Sequence, residues 1–366
     1  MRPPATRRTY LDLLRGVAVL VMMEAHVIDS WTRAVDRRSQ AFYKSLILGG
    51  FGAPLFLFLA GVAVAMSAGS KARRLGDDRA AAGMVQKRGL EILLLAFLFR
   101  LQSFVVSRSP AWAMLKVDIL NIMGPSIMLT ALLWRVAGTM RRRLLVLGGV
   151  TVGIAFLSAS IRALPWLARL PDFLEGYIRP IPGLTNFTFF PWAAFVTAGA
   201  VVGVLLDAAR TPAEDRRLNV WLAITGLAIG VAAYKASFLP PLSIRSSFWT
   251  TSPSFFFIRI GVMTAAIAIA YLWEQRPTAG RRWSLLQTLG RSSLFVYWIH
   301  VELVYGLIST PLHGSLTLGR AWFGLGLFCL LMVACAIAKD RFKTWWQTSG
   351  RARFRAPVPS RPPSAA

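Results

Sequence analysis

Acidic residues are scarce in this chain, and so is charge as a whole. Asp and Glu number 16 against 42 Lys and Arg, and the four together make up 16% of 366 residues, where a water-soluble domain carries about 25%. A soluble globular enzyme is therefore a poor fit. Cysteine is nearly missing too. The two present, Cys329 and Cys335, fall in one apolar stretch, which excludes a disulfide framework and reads as inert packing. No metal-ligand spacing, phosphate-binding loop, nucleophile elbow or dinucleotide fingerprint occurs, so no metal and no permanently bound cofactor is expected.

Apolar residues are plentiful: 55% of the chain is hydrophobic, with 23 Phe and 13 Trp, and the mean hydropathy is +0.53. Segments of about 20 mostly apolar residues, the length that crosses a bilayer, cover 11–29, 46–68, 89–106, 117–137, 144–161, 187–206, 219–235, 255–273, 286–308 and 319–338. The expectation is an all-α, polytopic integral membrane helix bundle of about ten transmembrane helices. One membrane domain would fill 11–338, between a basic tail at 1–10 and a basic, Pro-rich, disordered tail at 339–366. The first apolar run follows bases as a signal peptide does. Asp12, Arg15, Glu24 and His26 interrupt it, however, and no small-residue cleavage site follows, so it reads as a retained span.

With both termini cytoplasmic, the tails and inner loops carry more than twice as many Lys and Arg as the outer loops. The positive-inside rule favours that orientation in a plasma (inner) membrane. It also accounts for most of the +26 charge without a nucleic acid; lipid is the expected partner, and a homodimer is left open.

A charge at the centre of a spanning helix costs something like 2.5 to 3.5 kcal/mol on insertion scales, so each one calls for a reason. On a helix turning about 100° per residue, Arg15, His26, Asp12 and Asp29 share one arc of the first span, and Glu24 lies on the opposite side. Arg15 and His26 are about 16 Å apart along the axis, one near the cytoplasmic mouth and the other in the outer half. Asp29, one turn beyond, is placed to orient the imidazole of His26 as a base. The plainer reading is a snorkelling Arg15 paired with Asp12, and a satisfied interior histidine.

In the ninth span Arg291 and Glu302 share a face and His300 points the other way; helix–helix hydrogen bonds would explain His300 and Glu302 equally well. Arg100, Asp118, Asn121 and Arg259 complete the set, the last three entering from the outer side. Titratable groups converging at one depth suggest a cavity; the alternative is a set of internal ion pairs such as Asp118 with Arg259. Pro54, Pro125 and Pro191 each fall early in a span, where a disturbed helix is tolerated beside protein or a water-filled cavity. The aromatics at 187–192 read as an interface belt rather than a sugar platform.

The run Leu11-Asp12-Leu13-Leu14-Arg15-Gly16, with His26 following, resembles the opening helix of the transmembrane acyltransferase superfamily, and Asp12, Arg15 and His26 match its acyltransferase-3 branch position for position. Elsewhere the chain is similar to bacterial relatives of the heparan-alpha-glucosaminide N-acetyltransferases. The similarity lies in Gly50-Phe51-Gly52-Ala53-Pro54-Leu55-Phe56-Leu57-Phe58-Leu59-Ala60-Gly61, in Asp118-Ile119-Leu120-Asn121-Ile122-Met123-Gly124 and in Phe189-Phe190-Pro191-Trp192 with Phe195 and Gly199. The run Gly290-Arg291-Ser292-Ser293-Leu294-Phe295-Val296-Tyr297-Trp298-Ile299-His300 resembles the late span of both groups. The chain departs from the animal enzyme, which carries an amide where His26 stands, a histidine in the first loop and a large lumenal domain, so that enzyme's amine specificity does not transfer.

The resemblance implies transfer of an acyl group, acetyl in the simplest case, from cytoplasmic acyl-CoA to a sugar amine or hydroxyl of a glycan or glycolipid. His26 would be the general base oriented by Asp29, with Arg100 or Asn121 stabilising the oxyanion. Asp12, Arg15, Arg88, Asp118, Arg259, Arg291, His300 and Glu302 would contribute to donor or acceptor binding, the CoA phosphates lying near Arg15 and Arg88. Direct transfer and an acyl-histidine route are both compatible with these residues. The competing readings are a transporter or flippase for an anionic or glycan-linked solute, and a haem protein using His26 and His300.

Overall fold

Each apolar segment folds as helix. The structure, a computed structural model, describes residues 7–106, 110–276 and 284–353, with side chains as far as 348. In order, the helices are α1 (Thr9–Trp31), α2 (Gln40–Gly49), α3 (Gly52–Leu75), α4 (Asp78–Val106), α5 (Ile119–Ala137), α6 (Met140–Arg162), the single turn α7 (Asp172–Glu175), α8 (Phe189–Ala208), α9 (Pro212–Ala236), α10 (Pro253–Glu274), α11 (Leu285–Arg291), α12 (Ser293–Tyr305) and α13 (Leu318–Arg353). Among the described residues there is no strand, only isolated bridges joining Thr32 to Leu316 and Val117 to Thr185.

Local signals set many of the ends. Thr211 and Glu214 close a capping box around α9, with Pro212 at its first position. Gly76, at φ 71°, ends α3 in the left-handed region that a side chain disfavours. Phe190 is extended (φ −100°, ψ 118°), so the regular part of α8 starts at Pro191, after a cis peptide bond.

Eight helical stretches are long and apolar enough to cross a membrane: the bent pair α2–α3, and α4, α5, α6, α8, α9, α10 and α13. The chain is a multi-pass membrane protein. Buried and lipid-facing helices separate clearly. The most apolar stretch of α8 is 72% buried, against 22% in α4 and in α9. The outward faces of the peripheral helices show Leu94, Leu98, Phe156, Leu157, Leu227 and Leu330, an apolar exterior stable only against lipid.

The central helices meet through small residues, as bundles in lipid do. Gly61 of α3 lies on the carbonyl of Val196, and Gly199 of α8 on that of Phe58. Gly16 of α1 meets the backbone of Leu286 in α11, and Gly290 that of Asp12. One seam holds α3 against α8 and the other holds α1 against α11.

Two expectations need correction. The ninth segment is not one helix: it breaks at Ser292 (φ −101°, ψ 15°), so Arg291 and Glu302 do not share a continuous face. The tail from 339 is not disordered at its start. It prolongs α13 to Arg353, with Phe342, Trp345 and Trp346 clustered on one side among bases, the pattern of a helix surfacing at a membrane interface. In the first tail, Arg8 is pinned to Asp215 at 3.0 Å and to the Ala209 carbonyl at 2.9 Å. Residues 1–6 and 354–366 lie outside the described residues.

Candidate active site

At the end of the bundle where α1 and α12 finish and α3, α5 and α8 begin, the helices part around a cavity of about 840 Å³. His26, Asp29, Arg100, Asp118, Arg259 and Glu302 all line it. Six residues from five helices therefore share one space, among them His26, Asp118 and Arg259, which the sequence placed in one layer; Asn121, placed there too, is not on its wall.

The imidazole is oriented, though not as the helix periodicity suggested. Asp29 does not contact His26. Tyr305 of α12 stands between them, its Oη 3.1 Å from His26 Nδ1 and donating to Asp29 Oδ2 at 3.3 Å. A carboxylate can only accept, so the phenol spends its proton on Asp29 and takes one from Nδ1–H. The neutral ring then keeps its lone pair on Nε2, the arrangement a base requires. Arg37 holds Asp29 from the loop side, through the Asp29 carbonyl and a longer 3.9 Å pair with the carboxylate.

His300, which helix geometry turned away from Glu302, is fully buried behind His26, with ring centroids 5.3 Å apart. Its Nδ1 donates to the Val296 carbonyl at 2.8 Å. Glu302 lines the cavity from the same helix and His300 does not, as the opposite faces of the helix require.

Asp118 pairs with Arg100 at 2.7 Å, not with Arg259. It also caps α5, accepting from the Ile119 amide at 2.8 Å. Asn121 is the other half of that capping box: its Oδ1 accepts from the Asp118 amide at 3.1 Å and its Nδ2 donates to Tyr177 Oη at 3.2 Å. Asn121 is 2% exposed and is not on the cavity wall, so it positions Asp118 rather than meeting a substrate. Burial raises the pKa of the Tyr177 phenol in the loop above, which keeps it neutral under Asn121.

The aromatics at 187–192 are not an interface belt. Phe187 and Trp192 wall the cavity, edge to face with centroids 4.6 Å apart. The extended residue Phe190 swings this segment inward before α8 begins.

The remaining predicted residues gather at the opposite end. Arg15 and Arg88, with Lys71, rim a second, mostly apolar cavity of about 270 Å³ between α1, α3, α4, α5 and α12. Asp12 holds Arg15 at 3.2 Å and Arg7 at 2.7 Å. Arg291 lines neither cavity; it is exposed, and it donates to Thr288 Oγ1 at 3.3 Å. Glu24 lies on the far side of α1, buried near Gly49. Between the two cavities stands a stacked pair, Phe56 on the small one and Tyr297 on the large one, with centroids 6.4 Å apart and planes at 14°.

Tyr305, Lys71 and the Phe56–Tyr297 partition escaped the sequence reading. Tyr305 is one turn past Glu302, so a wheel drawn on α12 puts it on the same wall. Nothing in the sequence indicates that α12 docks against α1.

Fold and site together define a helical membrane protein with a basic cavity at one end and an oriented histidine in a larger cavity at the other. Comparison with known families gives the class its name. The profile described as "Acyltransferase domain", that of the acyltransferase-3 family, matches residues 8–339, so the chain belongs to that family of membrane acyltransferases. No curated protein matches the chain.

Proposed function

We propose that the protein moves an acyl group, acetyl in the simplest case, from cytoplasmic acyl-CoA to a sugar hydroxyl or amine of a glycan or glycolipid at the outer face of the inner membrane. The observation that carries this reading is the alignment of three features along α1. Arg15, Lys71 and Arg88 line the small cavity, Phe56 and Tyr297 stand at the midpoint, and His26, bound to Tyr305 through Nδ1, lines the large cavity.

In this reading the CoA phosphates meet the three bases, where Coulomb attraction and guanidinium hydrogen bonds suit them. The pantetheine arm passes the aromatic partition and presents the thioester beside His26. His26 Nε2 takes the acceptor's O–H or N–H proton as the acceptor atom attacks the thioester carbon. Arg100, fixed by Asp118, faces the oxyanion. As the tetrahedral intermediate collapses, the C–S bond breaks and the thiolate leaves with the proton from His26, giving the acylated acceptor and free CoA. Tyr305 and Asp29 hold the tautomer and stabilise the imidazolium between these steps.

Earlier similarities to glucosaminide N-acetyltransferase relatives favour a sugar acceptor, and the Phe187–Trp192 wall offers ring surface to one. The test is the purified protein in liposomes with isotope-labelled acetyl-CoA and a cell-envelope glycolipid extract. Acceptor-dependent release of CoA, with label in the glycolipid and loss of both in His26→Ala, is the expected result. Transport of a solute without any thioester cleavage would overturn the reading.

A further inference from the structure

Of the three cations on the large cavity, two make no ion pair among the described residues, and only Arg259 also holds a buried, unpartnered N–H. Arg100 is neutralised by Asp118, and Lys116 lies over the Trp112 ring at 5.1 Å. Arg259, on the second turn of α10, makes no ion pair and no hydrogen bond among the described residues, and its Nε is buried without a partner. Its one contact of note is the Phe255 ring, 3.8 Å from the guanidinium carbon. Two acids that share the cavity are committed elsewhere: Asp29 to Tyr305 and Arg37, Asp118 to Arg100 and the α5 cap.

A cation–π contact of this kind contributes about 0.5 to 2 kcal/mol, and an intramembrane guanidinium costs more than that on insertion scales. Stacking therefore orients Arg259 without compensating for it. An arginine set over a ring and lining a cavity, with a buried Nε–H that has no partner, is suited to receive a planar or tetrahedral anion in two parallel hydrogen bonds. The Phe187–Trp192 wall belongs to the same cavity.

We infer that the acceptor bound in the large cavity is an anionic sugar, its phosphate or carboxylate held by Arg259 while the aromatic wall covers the sugar ring. This rests on the acyl-transfer reading for the reason an acceptor is there at all, but binding itself requires no donor. A lipid-linked sugar phosphate and a uronic acid offer the same chemistry to Arg259, and separate probes distinguish them.

The experiment measures binding of glucose 1-phosphate, glucuronic acid and glucose to the full-length protein in detergent, without acyl-CoA, by isothermal calorimetry. At least one of the two anionic sugars should bind tenfold or more tightly than glucose. That preference should fall below twofold in Arg259→Gln, persist in part in Arg259→Lys, and survive in Lys71→Ala at the other cavity. Preference for glucose 1-phosphate alone points to a lipid-linked phosphate, and for glucuronic acid alone to an acidic glycan. Equal binding of all three sugars, no binding of any, or a preference lost in Lys71→Ala and kept in Arg259→Gln would each overturn the inference. If Arg259→Gln does not fold, the wild-type preference together with that of Arg259→Lys and Lys71→Ala decides it. Acyl-CoA turnover is scored separately, so loss of anion preference and loss of transferase activity are distinct results.

Discussion

His26 Nδ1 lies 3.1 Å from Tyr305 Oη although 279 residues separate the two in sequence. Through that phenol the carboxylate of Asp29, on the same helix as the histidine, acts at one remove. Tyr305→Phe deletes the relay and keeps the ring. It should lower kcat by about tenfold with little change in either KM, since only the orientation and charge stabilisation of the base are lost. Asp29→Asn should act in the same direction. A Tyr305→Phe enzyme with unchanged kcat would show that the relay does not orient the base.

His26→Ala should reduce acyl transfer by a factor of roughly 10² to 10⁴, the usual contribution of a positioned base. The imidazole borders a cavity, so the fold should survive the substitution. Turnover is compared with melting in detergent, and a normal melting curve with abolished turnover is the expected pair.

In the proposed reading, donor recognition belongs to the other end. Arg15→Ala and Lys71→Ala should each raise the KM for acyl-CoA, by about tenfold for one lost charge-assisted contact, and leave the acceptor KM in place. Steady-state kinetics varying each substrate in turn checks this. A rise confined to the acceptor KM would place the donor elsewhere.

The α3–α8 seam should tolerate no added atom. A Cβ at Gly61 or Gly199 meets the backbone carbonyl of Val196 or Phe58, and backbone cannot rotate aside. Gly61→Ala and Gly199→Ala should each destabilise the bundle by about 1 to 3 kcal/mol, read as a fall in Tm in detergent. Gly153→Ala, where nothing lies within 4 Å of the added carbon, is the neutral control.

Sidedness is testable without any substrate. Reporter fusions after residue 70 should behave as cytoplasmic, and fusions after residue 172 as external, because the bases concentrate on the first side. The opposite pattern would place the small basic cavity outside and remove acyl-CoA as its ligand.

Much of the fold was legible because lipid imposes a length on apolar runs and leaves helices as the economical way to satisfy the backbone. Hydropathy alone located the segments of α1, α3 to α6, α8 to α10 and α13. The depth of His26, Asp29, Asp118, Arg259 and Glu302 was legible too, since helix rise turns residue number into height and a charge at that height needs a polar neighbour. The break at Ser292 was not, although Gly290, Arg291, Ser292 and Ser293 stand there, because hydropathy averaged over the length of a span runs across so short a polar stretch.

What only tertiary structure decided is which groups touch. Helix periodicity reports direction around one axis and is silent on the partner that fills it. It therefore set Asp29 beside His26 where Tyr305 intervenes, and allowed Asp118 to pair with Arg259 where Arg100 is nearer. The docking of α1 on α11 through Gly16 and Gly290 brings the first of these contacts together, and that of α4 on α5 through Gly89 and Gly124 the second. Backbone approach at small residues depends on the shape of both helices at once, which no single segment encodes.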